Sequence, residues 1–106
     1  MMSVQELLEL AVKENASDIF VVVGLPLTVK VNNNIKRYNE ERLMPEDTIN
    51  IIREIYKLSG REMCIVEERG DDDFSFSLKG MSRFRVSVYR QRGSLAAVVR
   101  VIAFEL

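Results

Sequence analysis

Apolar residues recur at helical spacing in two long segments of this chain, which predicts two amphipathic helices. The first segment, residues 4–15, has apolar positions three and four apart and begins after Ser3, with Glu6 completing a capping box. We expect Ser17-Asp18 to break this helix. The second begins at Pro45, after a cap position (Met44) that has no side-chain oxygen. Ser59-Gly60-Arg61-Glu62 then predicts a shorter third helix through about Glu68, closed by Gly70.

Elsewhere the apolar residues are continuous over short runs or alternate with polar ones, which predicts six strands. These strand segments are IFVVV (19–23), LTVKV (27–31), IKRY (35–38), DFSFSL (73–78), RFRVSVY (83–89) and LAAVVRVI (95–102). Asparagines 32–34 predict a hairpin turn, because asparagine tolerates left-handed backbone angles. The segments KGMS (79–82) and RQRGS (90–94) predict short turns of an antiparallel meander.

The predicted element order is α-β-β-β-α-α-β-β-β, in which helices are grouped between runs of strands. This order favours an α+β fold with a mainly antiparallel sheet covered by helices on one face. At 106 residues, the chain has the length of a single domain, spanning 1–106.

Composition excludes several kinds of chemistry. The chain has no histidine and one cysteine, so it contains no Ser-His or Cys-His catalytic pair, no zinc site and no internal disulfide. Its five glycines do not form the GxxxxGK[ST] loop of nucleotide hydrolases, so we expect no triphosphate hydrolysis by this chain alone. The N-terminus lacks a basic region typical of secretory signals, and the longest apolar run is too short to span a bilayer; we therefore expect a cytoplasmic protein.

Positive charge is concentrated in the last third of the chain. The segment 74–104 has six cations and no acid, although the whole chain has a net charge of −1. These cations are Lys79, Arg83, Arg85, Arg90, Arg92 and Arg100. Strand alternation places Arg83 and Arg85 side by side on the face opposite Phe84, and Arg100 on a face with apolar neighbours.

Three roles for these arginines are compatible with the pattern. Arginines on the open face of a sheet are commonly solvated or paired with acids on a neighbouring strand. They also suit an anion or a nucleotide, because guanidinium groups bind phosphate through two hydrogen bonds. Nucleic acid is the least favoured partner, since Tyr89 is the one aromatic residue expected on the same face to stack a base.

Other polar residues have simpler interpretations. We expect Asp71-Asp72-Asp73 to form a solvated turn rather than a metal site, because consecutive strand residues point to alternate faces. Cys64 is expected to be a small core residue of the third helix. Tyr56 and Met63 are likewise expected to pack in the core.

Taken together, ASDI (16–19), DFSF (73–76), RFRV (83–86) and QRG (91–93) resemble the N-terminal domain of PilT-type ATPases, the type IV pilus retraction motors of the type II/IV secretion ATPase superfamily. The resemblance extends over nearly the whole chain in a consistent order. This sequence departs from the family pattern at two places. Phe20 stands where the family has histidine. Leu27, Lys30 and Asn32-Asn33-Asn34 replace a proline, an arginine and an asparagine- or aspartate-glycine hairpin.

The resemblance implies a PAS-like fold followed, in the full-length protein, by a RecA-like ATPase domain that is absent from this chain. It implies ATP and Mg²⁺ in a cleft between the two domains of a homohexamer, with Arg83, Arg85, Arg92 and Arg100 directed toward the nucleotide. We expect no cofactor for the domain alone. The implied partners are RecA-like domains of the same and neighbouring subunits and a pilus or secretion platform at the inner membrane, without nucleic acid.

Because the family continues beyond the position of Leu106, the chain is expected to be an excised domain of an ATPase that drives twitching motility, cytoplasmic and peripheral to the inner membrane. Two alternatives stay open. One is a stand-alone PAS-like ligand-sensing or interaction module. The other is the corresponding domain of a type II secretion or pilus assembly ATPase.

Overall fold

Six strands form one sheet in the computed structural model, which describes residues 3–78, 80 and 82–103. In chain order, the elements are α1 (Val4–Lys13), β1 (Ala16–Val21), β2 (Thr28–Val31), β3 (Asn34–Arg37), α2 (Pro45–Ser59), α3 (Cys64–Arg69), β4 (Asp71–Ser77), β5 (Ser82–Gln91) and β6 (Ser94–Ala103). The predicted element order and the α+β class are confirmed. The predicted KGMS turn includes residues 79 and 81, which lie outside the described residues.

The strands are arranged in the order β3-β2-β1-β6-β5-β4, and each neighbouring pair is antiparallel. Two meanders therefore meet at the β1–β6 pair. The first and last strands lie at the centre of the sheet, and β3 and β4 form its edges. None of the described helices is long and apolar enough to cross a membrane.

The helices cover one face of the sheet, as predicted. The strand residues on this covered face are almost fully buried against apolar residues of α1 and α2. They include Ile19, Val21, Val29, Phe84, Val86, Val88, Ala97 and Val99. The opposite face, which we call the open face, is not covered by any described element.

The start of α1 agrees with its sequence, whereas its end does not. The backbone N–H of Glu6 donates to Ser3 Oγ at 3.2 Å, and that of Ser3 donates to Glu6 Oε1 at 3.0 Å, which completes the capping box. The helix ends at Lys13, because Asn15 adopts a left-handed backbone with φ +61°. β1 begins at Ala16, so the expectation that Ser17-Asp18 breaks the helix is wrong, because both residues lie in the strand.

The predicted start of the third helix at Ser59 is also wrong. α2 continues to Ser59 and is closed by Gly60 in a left-handed conformation (φ +73°), and α3 begins only at Cys64. Ser59 Oγ donates to the Tyr56 carbonyl at 2.9 Å instead of opening a new helix. Cys64 is exposed, which corrects its expected place in the core.

Residues 71–73 belong to β4 and do not form a solvated turn. Asp71 and Asp73 are exposed, as expected for polar residues, but Asp72 between them is buried on the covered face. The reason is pairing with β5, which extends the ladder from Ser77 back to Asp71 opposite Tyr89. Strand alternation then turns the middle carboxylate inward.

Candidate functional site

Three of the four arginines singled out from the sequence lie together on the open face. On β5, Arg83 and Arg85 are exposed while Phe84 and Val86 between and beside them are fully buried. This alternation is the one that the sequence predicts. Neighbouring side chains on one face of a strand are about 6–7 Å apart, so the two guanidinium groups can reach one anion.

The third arginine is brought in by β6. In the β5–β6 ladder, Arg85 lies directly opposite Arg100, and Arg83 lies opposite Ile102. Directly opposed residues on antiparallel strands have Cα atoms about 4.5–5.5 Å apart. We call Arg83, Arg85 and Arg100 the arginine cluster.

The sheet register adds residues that the sequence did not single out. Along one row of the open face, Lys30, Asp18, Arg100, Arg85 and Ser75 are successive cross-strand neighbours. Asp18 therefore lies beside Arg100, and Ser75 lies beside Arg85. No short motif could have revealed this row, because its members come from five different strands.

The cluster has few partners of its own. Arg83 Nη2 donates to Ser75 Oγ at 3.3 Å. Among the residues that the structure describes, neither the cluster nor Arg92 forms an ion pair with a carboxylate. Like charges that lie directly opposite each other repel, so the Arg85–Arg100 pair favours an anion between its members.

The surroundings of the cluster are a shallow groove with an apolar margin. The groove is lined by Asp73, Phe74, Ser75, Arg83, Arg85 and Ile102. Ile102 is 40% exposed and places an apolar side chain beside the cations. A patch of this composition suits a partner surface that presents an anion and apolar contacts together.

Arg92 is separate from the cluster. It forms, with Gly93, the two-residue turn between β5 and β6, and both have positive φ angles of +52° and +81°. At about 3.3 Å per residue, the turn lies roughly 20 Å along the strand from Arg85. The four candidate arginines therefore do not converge on one point.

A second polar cluster lies on the covered face. Arg61 donates to both carboxylate oxygens of Asp72 at 2.7 Å, and Tyr56 Oη donates to Asp72 Oδ2 at 2.8 Å. The hydrogen bonds from Arg61 hold the pKa of Asp72 below its ordinary value, against the opposing effect of burial. Burial, followed by the hydrogen bond to Asp72, raises the pKa of Tyr56.

This second cluster joins α2, the loop after it and β4. Because every partner is a neighbouring element of the same core, its arrangement is that of a structural network rather than of a site open to ligands. The prediction that Tyr56 packs in the core agrees with its burial and with its contact with Phe74, whose ring centroid is 4.9 Å away.

Comparisons with known proteins point to one group of ATPases. The chain matches no protein-family model. It is 33% identical over 101 residues to the type IV pilus retraction ATPase PilT of Pseudomonas aeruginosa, covering 95% of this chain and 29% of PilT. It is 31% identical over 101 residues to the type IV pilus ATPase PilU of the same organism, covering 95% of this chain and 26% of PilU.

Solved structures agree with these relatives. A crystal structure of the pilus retraction motor PilT with bound ADP superimposes with a TM-score of 0.81 and 36% identity, over 100% of this chain and 31% of that one. The ATPase DotB of Legionella pneumophila gives a TM-score of 0.71 at 21% identity, over 95% of this chain and 29% of DotB, which shows a shared fold.

The chain is therefore similar to one region of these pilus ATPases. Its counterpart is the N-terminal domain of PilT and PilU, and it spans less than a third of the length of either.

Proposed function

We propose that this chain is the N-terminal domain of a PilT-like motor ATPase and that it contributes arginines to a nucleotide cleft. The other side of the cleft is a RecA-like ATPase domain of the full-length protein, which holds ATP and Mg²⁺. The observation that carries the proposal is the Arg85–Arg100 pair, two opposed cations without a carboxylate partner among the described residues.

The similarity to PilT supports the same assignment. The crystal structure that superimposes over the whole chain is of PilT with bound ADP, so the nucleotide is a ligand of that relative. This chain has no glycine-rich phosphate-binding loop. The domain therefore assists hydrolysis from across the cleft and does not carry it out.

Arginine suits this role for physical reasons. A guanidinium group keeps its charge at all physiological pH values and makes two parallel hydrogen bonds to phosphate oxygens. Supplied from a second domain, it neutralises charge that develops on the transferring phosphoryl group. Closure of the cleft is then coupled to hydrolysis, and domain rotation in a homohexamer delivers force to the pilus.

Because Arg92 is separate from the arginine cluster, the two contact different groups. Arg83, Arg85 and Arg100 face one anionic group, whereas Arg92, at the hairpin tip, contacts a different part of the nucleotide or of the neighbouring subunit. At the other end of the hairpin, packing against a neighbouring subunit is consistent with the exposed side chain of Ile102, which lies opposite Arg83.

The test is ATP hydrolysis by the full-length protein with Arg85→Ala or Arg100→Ala. We expect kcat to fall by roughly 10²- to 10³-fold, the cost of removing one preorganised charge donor at a transition state. Arg90→Ala is the matched control, because Arg90 lies on the same strand in the alternate orientation. If Arg85→Ala and Arg100→Ala both kept wild-type ATP hydrolysis and twitching motility, the arginine cluster would not act on the nucleotide.

The gene sequence tests whether this chain is part of a motor ATPase. An in-frame Walker A motif downstream of codon 106 supports a motor ATPase, and a stop codon there supports a stand-alone sensing or interaction module. We expect the isolated domain to show no ATP binding in calorimetric titration, because one side of a cleft offers few contacts. The same proposal places the full-length protein in the cytoplasm, at an inner-membrane pilus or secretion platform.

A further inference from the structure

A second concave site lies apart from the arginine cluster, where the starts of both long helices meet the chain that follows β3. It is a pocket of about 510 Å³. The residues that line it are Ser3, Val4, Leu7, Leu27, Tyr38, Asn39, Glu41, Arg42, Leu43, Met44, Asp47 and Ile51. Its volume falls in the range typical of small-molecule sites.

The walls of this pocket are mainly apolar. Val4, Leu7 and Leu43 are buried members of the hydrophobic core, and their side chains form part of the lining. Met44 is 61% exposed and lines the pocket as well. A flexible thioether at the edge of an aliphatic pocket adapts readily to an apolar guest.

One backbone donor at each of the two helix starts is already bonded to a carboxylate. The N–H of Val4 donates to Glu54 Oε2 at 2.8 Å, and that of Met44 donates to Asp47 Oδ2 at 2.7 Å. Carboxylates of the chain itself thus take the places that an anion would need. These two donors are therefore closed to an anion, and the charged lining residues Glu41, Arg42 and Asp47 are two acids and one base, which disfavours a guest with negative charge.

One of the lining residues, Tyr38, has a hydroxyl group that donates no hydrogen bond in the part of the chain that the structure describes. The Tyr38 hydroxyl oxygen is buried and has no hydrogen-bond partner among the described residues. Burial, followed by the charge of Glu14, raises the pKa of Tyr38 to about 12, so the phenol stays protonated at neutral pH. A buried hydroxyl without a partner is costly, and an acceptor supplied by a ligand removes that cost.

We propose that this pocket binds a neutral, mainly apolar small molecule that carries one hydrogen-bond acceptor, with the Tyr38 hydroxyl as its polar anchor. Because this oxygen is shielded from solvent in the free protein, binding includes a small turn of the phenol ring or a shift of a neighbouring side chain. The proposal is independent of the nucleotide role, since none of the arginine cluster lines the pocket.

The test uses Nile red, a neutral apolar dye with a carbonyl acceptor, titrated into the 106-residue chain and followed by fluorescence. We expect saturable binding at one site. The anionic dye ANS serves as a comparison and is expected to bind more weakly. No saturable Nile red binding, or tighter binding of ANS, would overturn the proposal.

Met44→Ser tests the location of the site. Serine is a preferred residue at a helix N-cap, so this variant is expected to fold at least as stably as the wild type. The loss of apolar contact should lower the affinity for Nile red by about fourfold. Ile35→Ser is the matched control, because Ile35 is also 61% exposed but lies on β3 outside the pocket. An equal effect of the two variants would contradict the location.

Tyr38→Phe tests the anchor. Removal of the hydroxyl should lower the affinity for Nile red by about fivefold, the effect of one hydrogen bond. The thermal unfolding midpoint of the free protein should stay unchanged or rise, because an unpartnered buried hydroxyl is lost. Tyr89→Phe, on β5, should leave dye binding unchanged. Unchanged affinity in Tyr38→Phe overturns the proposal.

Discussion

The two faces of the sheet are made by the same strands and carry opposite chemistry. On β5, Phe84, Val86 and Val88 are fully buried against the helices, whereas Arg83 and Arg85 project from the open face. The cations described on the covered face are paired with acids, Arg61 with the buried Asp72 and Lys36 with Glu14. On the open face, by contrast, two cations, Arg85 and Arg100, lie directly opposite each other.

This difference separates stability from binding within single strands. Residues of the covered face remove apolar surface from water, which is the main favourable contribution to folding. Residues of the arginine cluster instead place like charges opposite each other, which does not stabilise the isolated domain; their role in a partner contact is our proposal. Substitutions on the two faces should therefore have effects of different kind and size.

The largest effect is expected from Phe84→Ala, on the covered face. Deleting a fully buried phenyl ring leaves a cavity and should lower the free energy of unfolding by about 3–5 kcal/mol. Urea denaturation followed by circular dichroism measures this change. Phe20→Ala is the control, because Phe20 is only partly buried and lies on the open face beside Val98. We expect it to lower the free energy of unfolding by about 1 kcal/mol. Equal losses would show that the open face is also part of the folding core.

A smaller effect is expected from Asp72→Asn, which removes the charge that Arg61 and Tyr56 surround. We expect a loss of about 2 kcal/mol at pH 7, since two charge-assisted hydrogen bonds are weakened in a buried network. Asp73→Asn, the exposed neighbour on the other face, should change stability little.

The pH dependence of this pair of variants sharpens the test. The pKa of Asp72 is lowered in the folded state, so its charge stabilises the protein above the unfolded-state pKa, about 4. That stabilisation is lost as the pH falls through the lower folded-state pKa. The difference between wild type and Asp72→Asn should therefore shrink between pH 5 and about pH 2, measured by urea unfolding at each pH. A constant difference would mean that the carboxylate charge is not the cause.

The smallest effect is expected on the open face and has the opposite sign. Arg85→Thr removes the like-charge contact with Arg100 and should stabilise the isolated domain by about 0.5 kcal/mol at low salt. The gain should disappear near 0.5 M salt, because exposed charges are screened. Arg90→Thr, opposite Leu95, is the control and should show no such salt-dependent gain. Destabilisation by Arg85→Thr at low salt would indicate that the arginine has a stabilising partner within the domain.

Much of the fold was predictable because its signals are local. Two-residue alternation assigned Phe84 and Val86 to one face of a strand and Arg83 and Arg85 to the other, and the structure agrees. The asparagine turn also follows from local chemistry, since Asn32 and Asn33 have φ angles of +52° and +65°. Element boundaries were less well predicted. Ser17-Asp18 reads as a break but lies within β1, where Asp18 pairs with Lys30 on one side and with Arg100 on the other.

The sequence by itself determined the element order, the α+β class, the face on which Arg83 and Arg85 lie, and the resemblance to PilT-type ATPases. Only the tertiary structure decided that Arg100 lies opposite Arg85, that Asp72 joins Tyr56 and Arg61, and that Arg92 stands apart from the cluster. The physical reason is that strand register and core packing join residues far apart in the chain. Their side-chain partners are set by long-range pairing, which no local pattern contains.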